Sequence, residues 1–261
     1  KSKGNTVDPW TVLDAQGADA LRWYLYSASP PETTKRFSAA LVEESLRDFF
    51  MTLWNVYGFF VLYANLESPD LTGAPRKAER PLVDRWLLSR LSAITRDVTA
   101  ALEEFDPTTA SRAIRDFLVD EVSNWYVRRN RRRFWRSGQA QGEGGQRVLD
   151  ADSLSAYATL HEALVTVAKL MAPMAPFTSE AIYQNLVVSV DDGAPDSVHL
   201  AAWPAVDEAA LDEELMRSMR MIMRLVELGR AARAASGVKL RQSLPEVLVR
   251  VRSEDEREGV E

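Results

Sequence analysis

The chain has 261 residues, and its 38 acidic against 32 basic side chains give a net charge of -6 with both histidines neutral. A 46% hydrophobic content is ample for burying a core in one large or two small domains, which excludes intrinsic disorder. With no cysteine and only His161 and His199, the composition also excludes disulfides, a thiol nucleophile and a thiolate or multi-histidine site, so no metal is expected in this chain.

Helical periodicity dominates from the start. The opening Lys-Ser-Lys-Gly-Asn has neither an initiating Met nor the apolar run of a signal peptide, and the expectation is a piece of something longer. Residues 6 to 30 read as two short amphipathic pieces, with Asp19 placed to cap the turn into Ala20-Leu21-Arg22, and Pro30-Pro31 ends them. A first long helix is predicted from Ser38 to Leu66. Its stretch from Phe49 to Leu66 is 18 residues without a charge, the lower edge of a membrane-spanning length. Asn55, Gly58, Asn65 and two tyrosines interrupt it and no basic flank orients it, so a buried core helix is expected instead.

Pro81 opens a second helix carrying Leu82, Trp86, Leu87, Leu91, Ile94, Val98 and Leu102 on one stripe. Asp106-Pro107 reads as N-cap and first-turn proline of a third helix lasting to Arg136, and the glycine-rich stretch Gly138 to Gly145 reads as a solvated loop. A fourth helix runs from Ser153 to Ala172, where Pro173 and Pro176 break the chain, and a fifth from Pro176 to Val188. After a loop over 190 to 206, a sixth spans Asp207 to Ala235 and stops at Ser236-Gly237. Beyond Pro245 the alternation of Val247, Val249 and Val251 has the period of a strand. The fold class is therefore all-α, a bundle of five or six long helices followed by the start of a β element. Its divisions are 1–36, 37–236 and 237–261.

Local charge is more informative than the total. SNWYVRRNRRRFWR, from Ser123, holds Arg128, Arg129, Arg131, Arg132, Arg133 and Arg136 with no acid from Val122 through Gly142. At about 100° per residue these arginines point nearly all round a helix, so they cannot share one solvated stripe. Guanidinium forks suit phosphate, and Trp125, Tyr126, Phe134 and Trp135 supply planar rings for a base. An internal ion-pair hub with Asp116, Asp120, Glu121 and acids on neighbouring helices explains the same composition, and both readings stand at this point. On the sixth helix Arg217, Arg220 and Arg224 form an outward row, continued by Arg230, Arg233, Lys239 and Arg241, which is either a positive track or an ordinary solvated face. Met216, Met219, Met221 and Met223 read as core filler. The isolated histidines read as structural, and adjacent carboxylates such as Glu43-Glu44 diverge too far to act jointly.

Several motifs in order carry a resemblance. KSKGN followed by VDPW and GADALRWYLYSASPP resembles the end of the Lys-Met-Ser-Lys-Ser loop and the stem-contact region of class I aminoacyl-tRNA synthetases. SNWYVRRNRRRFW resembles the isoleucyl form of the anticodon-binding domain, and KLMAPMAPFTSEAIYQNL and SVHLAAWP resemble segments shared by the isoleucyl, valyl and leucyl branch. GRAARAASGVKLRQSLP resembles the isoleucyl version of the next segment, although the family commonly reads Arg-Gln-Pro-Leu where this chain has Arg241-Gln242-Ser243-Leu244-Pro245. The resemblance implies a cytoplasmic parent enzyme that uses ATP and Mg to join isoleucine to its tRNA. This chain would be its C-terminal portion, inactive alone. Within the parent, Lys1 and Ser2 would serve the catalytic loop, Lys1 on the ATP phosphates. The implied partners are the anticodon stem and loop of isoleucine tRNA and the catalytic core of the same polypeptide, with neither membrane nor DNA. The tRNA-binding candidates are Arg128, Arg129, Arg131, Arg132, Arg133, Trp135, Arg136, Arg217, Arg220 and Arg224. A valyl or leucyl sibling, and a helical adaptor that binds protein with its arginines structural, are the alternatives.

Overall fold

The computed structural model describes residues 8–135, 149–251 and 257, and every one of its eight helices is read from those. They are α1 (Pro9–Gln16), α2 (Ala18–Ser27), α3 (Ala39–Glu67), α4 (Leu82–Glu103), α5 (107–135), α6 (Ala151–Met171), α7 (176–188) and α8 (Glu213–Ala235). Local chemistry sets most boundaries. Asp8 accepts the Trp10 amide ahead of Pro9, Ser38 accepts that of Leu41, Asp106 that of Thr109 and Asp150 that of Ser153, so each start is a side-chain oxygen on an otherwise orphaned donor. The last of these begins α6 at Ala151, two residues before the expected Ser153. The stop after α8 is as expected, with Gly237 at a φ of 66° beyond Ser236.

Helices α3, α4, α5 and α6 pack against one another as a bundle, with α7 laid on α6 and α2 crossing α3, α5 and α7. Helix α4 is enclosed on nearly every side: Trp86, Leu87, Leu91, Ile94 and Val98 are buried as the stripe predicts, and so are Ser89, Ser92 and Thr95. Leu82, at its first turn, is exposed instead. Aromatic contacts tie the layers. Phe134 meets Phe59 of α3 and Tyr157 of α6 edge to face at 5.1 and 4.9 Å.

Four expectations are corrected. Asp19 does not cap its own turn; its carboxylate accepts the Thr178 amide and hydroxyl, both at 2.6 Å, and so caps α7 from 159 residues away. Three residues on, Arg22 donates to the carbonyls of Pro173 and Met174 at 2.9 and 3.1 Å. One turn of α2 thus places an anion at the start of α7 and a cation at the end of α6, matching both helix dipoles across the proline-broken elbow. Helix α3 is not a buried core helix. It is long and apolar enough to cross a membrane by length and composition, yet Leu53, Val56 and Phe60 face the core while Met51, Trp54, Leu62 and Leu66 stay outside. The sixth long helix begins at Glu213 rather than Asp207, because Asp212 caps it through the Leu215 amide and a short 3-10 turn occupies Glu208–Ala210. Finally, no strand forms among the described residues. The segment around Val247 and Leu248 is 82% and 86% exposed without regular structure, since a lone period-two segment has no ladder to join.

Packing divides the chain into two units, with the break between Leu211 and Asp212. In the first, α2 is held to α5 at its C-terminal end. Thr108 donates to the Tyr26 carbonyl at 2.8 Å and Arg112 to those of Ser27 and Ala28 at 2.9 and 2.8 Å. The second contains α8, of which Met216 alone is buried.

Candidate nucleic-acid interface

The arginine cluster lies at the C-terminal end of α5, and its layout is set by a change of winding. Residues Phe117–Val127 are π-helical, with wider turns that advance the chain through a smaller angle per residue, and α-helical winding resumes at Arg128. From there about 100° per residue sorts the side chains into two faces.

The inner face is a polar network in the core. Arg133 donates to both oxygens of Asp84 at 2.7 and 2.6 Å and to the Asp152 carbonyl at 2.7 Å, with the Asp152 carboxylate 2.9 Å away. Asp84 is fully buried, and the Arg133 side chain is only 12% exposed. The Tyr126 hydroxyl donates to Asp84 at 2.6 Å, and Asn130 bridges the Tyr126 carbonyl at 2.8 Å and Arg133 at 3.2 Å. Burial works against the charge on Arg133, but the hydrogen bonds and negative charge of Asp84 outweigh it and hold the guanidinium protonated more firmly than usual. Burial first, and the Asp84 charge second, push the Tyr126 hydroxyl well above its ordinary range, so it stays a neutral donor. A bidentate arginine whose two terminal nitrogens both meet a buried carboxylate is a structural residue in this fold, although its buried Nε has no hydrogen-bond partner among the described residues. Phe134 is buried beside it.

The outer face is different. Arg128, Arg131, Arg132 and Trp135 fall within an arc of roughly 100°, opposite Tyr126, Asn130 and Phe134. All four are exposed, Trp135 by 50%, and none of the three arginines has an acidic partner among the described residues. Trp135 sits between the other side chains at helical spacing, its ring tilted against Tyr63 of α3 at 6.3 Å. Arg129, to one side, is exposed with its guanidinium stacked 4.0 Å over the Trp125 ring. Chemically, this surface offers several fixed cations and one half-exposed indole to a polyanion with unpaired bases.

The acids once considered as a hub have other partners: Glu121 pairs with Arg90, while Asp116 and Asp120 pair with Arg115, which also holds Asp48. Asp84 and Asp152 take their place. Sequence reasoning missed Asp84, Tyr126 and Asn130. The available signal was that Asp84 occupies the first position of the series 84, 87, 91, 94, 98, whose other members are all buried apolar residues.

In the second unit Arg217, Arg220 and Arg224 are exposed along α8 and have no acidic partner among the described residues. Arg233 does not continue their row, since it folds back onto the carbonyls of Lys239 and Gln242, both at 2.9 Å. Lys1, Ser2, Arg136 and the stretch Gly138 to Gly145 lie outside the described residues. His161 is structural: it donates from Nε2 to the Leu186 carbonyl at 2.9 Å, and burial lowers its pKa below the usual 6.5 despite that bond.

The family described as the anticodon-binding domain of tRNA ligase matches residues 84–248, a stretch that contains both arginine groups. Isoleucine–tRNA ligase of Thermus thermophilus is 54% identical over 260 residues, all of this chain and 24% of that protein. The Deinococcus radiodurans isoleucine–tRNA ligase is 53% identical over 253 residues, 97% of this chain and 22% of that protein. The chain thus spans about a quarter of the length of these curated relatives. Among solved structures, the LeuRS in an Agrobacterium radiobacter K84 LeuRS–tRNA–LeuAMS ternary complex superposes with a TM-score of 0.57 at 22% identity, covering 81% of this chain and 22% of that one. The free-state methionyl-tRNA synthetase of Mycobacterium tuberculosis gives 0.56 at 21% identity over 68% of this chain and 34% of that one. At such identities the two structures speak for the fold alone. With the family match running over more than half its length, the chain belongs to the anticodon-binding domain family of tRNA ligases.

Proposed function

We propose that this chain is the tRNA-binding region of a longer, cytoplasmic isoleucine–tRNA ligase, and that it grips the anticodon stem and loop of isoleucine tRNA. The observation that carries the reading is the outer face of α5, where Arg128, Arg131 and Arg132 surround Trp135 with no acid to neutralise them among the described residues. The arginines fix register on phosphates, which is blind to sequence, and Trp135 offers a stacking platform to an unpaired base. Arg129, preset on Trp125, adds a fork beside them, and Arg136 follows Trp135 in the sequence. Arg217, Arg220 and Arg224 are a second phosphate-binding row on α8. Identity with two isoleucine–tRNA ligases above 50% over nearly the whole chain supports isoleucine rather than valine or leucine as the amino acid.

Adenylate formation belongs to the rest of such an enzyme. Lys1 and Ser2 are the residues of this chain that would meet ATP, with Lys1 aimed at phosphate charge. Among the described residues no group of three His, Cys, Asp or Glu side chains could hold a metal ion. This chain alone is expected to exchange no pyrophosphate into ATP with isoleucine.

The test is the Arg131→Gln/Arg132→Gln pair. Because both side chains are exposed and unpaired, the melting temperature should hold, while tRNA affinity falls and the slope of log affinity against log salt flattens by up to about two units. Unchanged affinity and slope would sink the reading. Competition between isoleucine tRNA and other tRNAs then measures how much base contact adds.

A further inference from the structure

One donor in the arginine-rich stretch is left without an acceptor. The Nε1–H of Trp125 is enclosed and makes no hydrogen bond among the described residues, in a residue only 8% exposed. Native folds leave few such groups, because an enclosed donor has lost its water and gained nothing in return. An indole N–H donates and cannot accept, so whatever completes it must bring an oxygen or a lone-pair nitrogen.

The neighbours of Trp125 point to the source of that atom. Arg129, four residues on and on the same side of α5, lies 4.0 Å over the Trp125 ring. It is exposed and has neither a hydrogen bond nor an ion pair among the described residues, so the ring contact alone keeps it ready. A cation over a ring at an exposed site is held weakly and leaves readily for a phosphate. Arg132 continues the line into the outer face, about 10 Å along the helix from Trp125. On the other side Glu121, four residues before Trp125, is neutralised by Arg90, whose Nε and Nη2 donate to its two oxygens at 2.7 and 2.9 Å. The carboxylate nearest to Trp125 along the N-terminal part of α5 is therefore already paired and does not repel a polyanion.

We infer that Trp125 is an RNA-binding donor kept closed by Arg129: a phosphate of the tRNA draws the guanidinium off the ring, and the uncovered Nε1–H donates to an oxygen of the same ribose–phosphate unit. The inference rests on the reading of the chain as a tRNA-binding region, and it adds to that reading a two-part site for one nucleotide of backbone. A fork takes the charge, and a neutral donor beside it takes a second oxygen. The backbone is selected over a base edge because Arg129 reaches no farther from the ring than its own side chain, so the phosphate it holds lies beside the indole. Where that oxygen is a 2′-hydroxyl, the pair also tells RNA from DNA, which arginines on phosphates do not.

Trp125→Phe keeps an aromatic ring and removes the donor. Affinity for the anticodon stem-loop RNA of isoleucine tRNA should fall about threefold to tenfold, the effect of one neutral hydrogen bond, with the slope of log affinity against log salt unchanged. Arg129→Gln should instead flatten that slope by up to about one unit. The stem-loop is then made with single 2′-deoxy nucleotides and, in a second series, with single methylphosphonate linkages. One substitution should cost the unaltered protein about threefold to tenfold more than it costs Trp125→Phe, and the series in which it falls names the oxygen as hydroxyl or phosphate. The indole N–H resonance missing from the Trp125→Phe spectrum should also shift when RNA is added. An affinity unchanged by Trp125→Phe overturns the inference, whether or not the melting temperature falls. So does a loss of affinity that couples to no sugar or phosphate of the stem-loop. Either result leaves binding by the outer arginines standing, whereas failure of the unaltered protein to bind the stem-loop overturns both.

Discussion

Helix α5 places arginines on two faces one residue apart, and their environments are opposite. Arg133 is enclosed by Asp84, Asp152, Tyr126 and Asn130, whereas Arg132 next to it is exposed and unpaired among the described residues. Identical side chains therefore do different work: the inner one joins α4, α5 and α6 through a desolvated ion pair, and the outer ones keep their charge available to a ligand. The difference teaches that an arginine-rich stretch is divided by helix register, not assigned as a whole to either structure or binding. The structural reading describes the inner face, and the binding reading is proposed for the outer one.

The largest expected effect comes from breaking the inner face. Arg133→Gln leaves Asp84 buried without its cation and should cost about 3 to 5 kcal/mol, visible as a collapse of the denaturation midpoint. If the stability changed by less than about 1 kcal/mol, the assignment of Arg133 to structure would be wrong. Replacing the whole network sharpens the comparison. Asp84→Leu/Tyr126→Phe/Arg133→Met removes the buried ion pair and the hydroxyl together, and most of that loss of about 3 to 5 kcal/mol should return, because no buried charge is left unpaired.

The outer face should answer in affinity instead. Trp135→Ala is expected to weaken binding of an anticodon stem-loop by about 1 to 3 kcal/mol with little change in melting temperature. A large loss of stability, with affinity restored whenever the protein is kept folded, would move Trp135 to the inner class. Phe134, a second ring of this stretch suited to a base, is excluded from stacking by its burial between Phe59 and Tyr157.

The smallest effect concerns pH. His161 has its pKa lowered in the fold by burial, so the unfolded chain binds the extra proton first as pH falls below about 6.5. Stability should be complete above that value and decline below it, by at most about 1.4 kcal/mol per pH unit. His161→Gln should flatten this decline in a series of melts between pH 7.5 and 5.

Much of this was legible in the residues. Prolines, caps and apolar spacing located the long helices to within a few positions, since those signals act within a turn or two of the chain. Motifs in order gave the family, and the exposed row on α8 followed from α-helical spacing alone. The division of α5 was not legible, because a π-helical stretch from Phe117 to Val127 resets the angular register ahead of the arginines. Nor was the role of Asp19, which caps a helix 159 positions distant.

By itself, then, the sequence determined the all-helical class, most helix boundaries and the concentration of positive charge at the end of α5. These depend on backbone propensity, capping and composition, which are local. Tertiary structure decided which arginine is buried, which face of α3 is left bare and whether the tail after Pro245 becomes a strand. Each of those depends on a partner brought from far along the chain: Asp84 exists for Arg133 only because α4 lies against α5, and a strand exists only beside another.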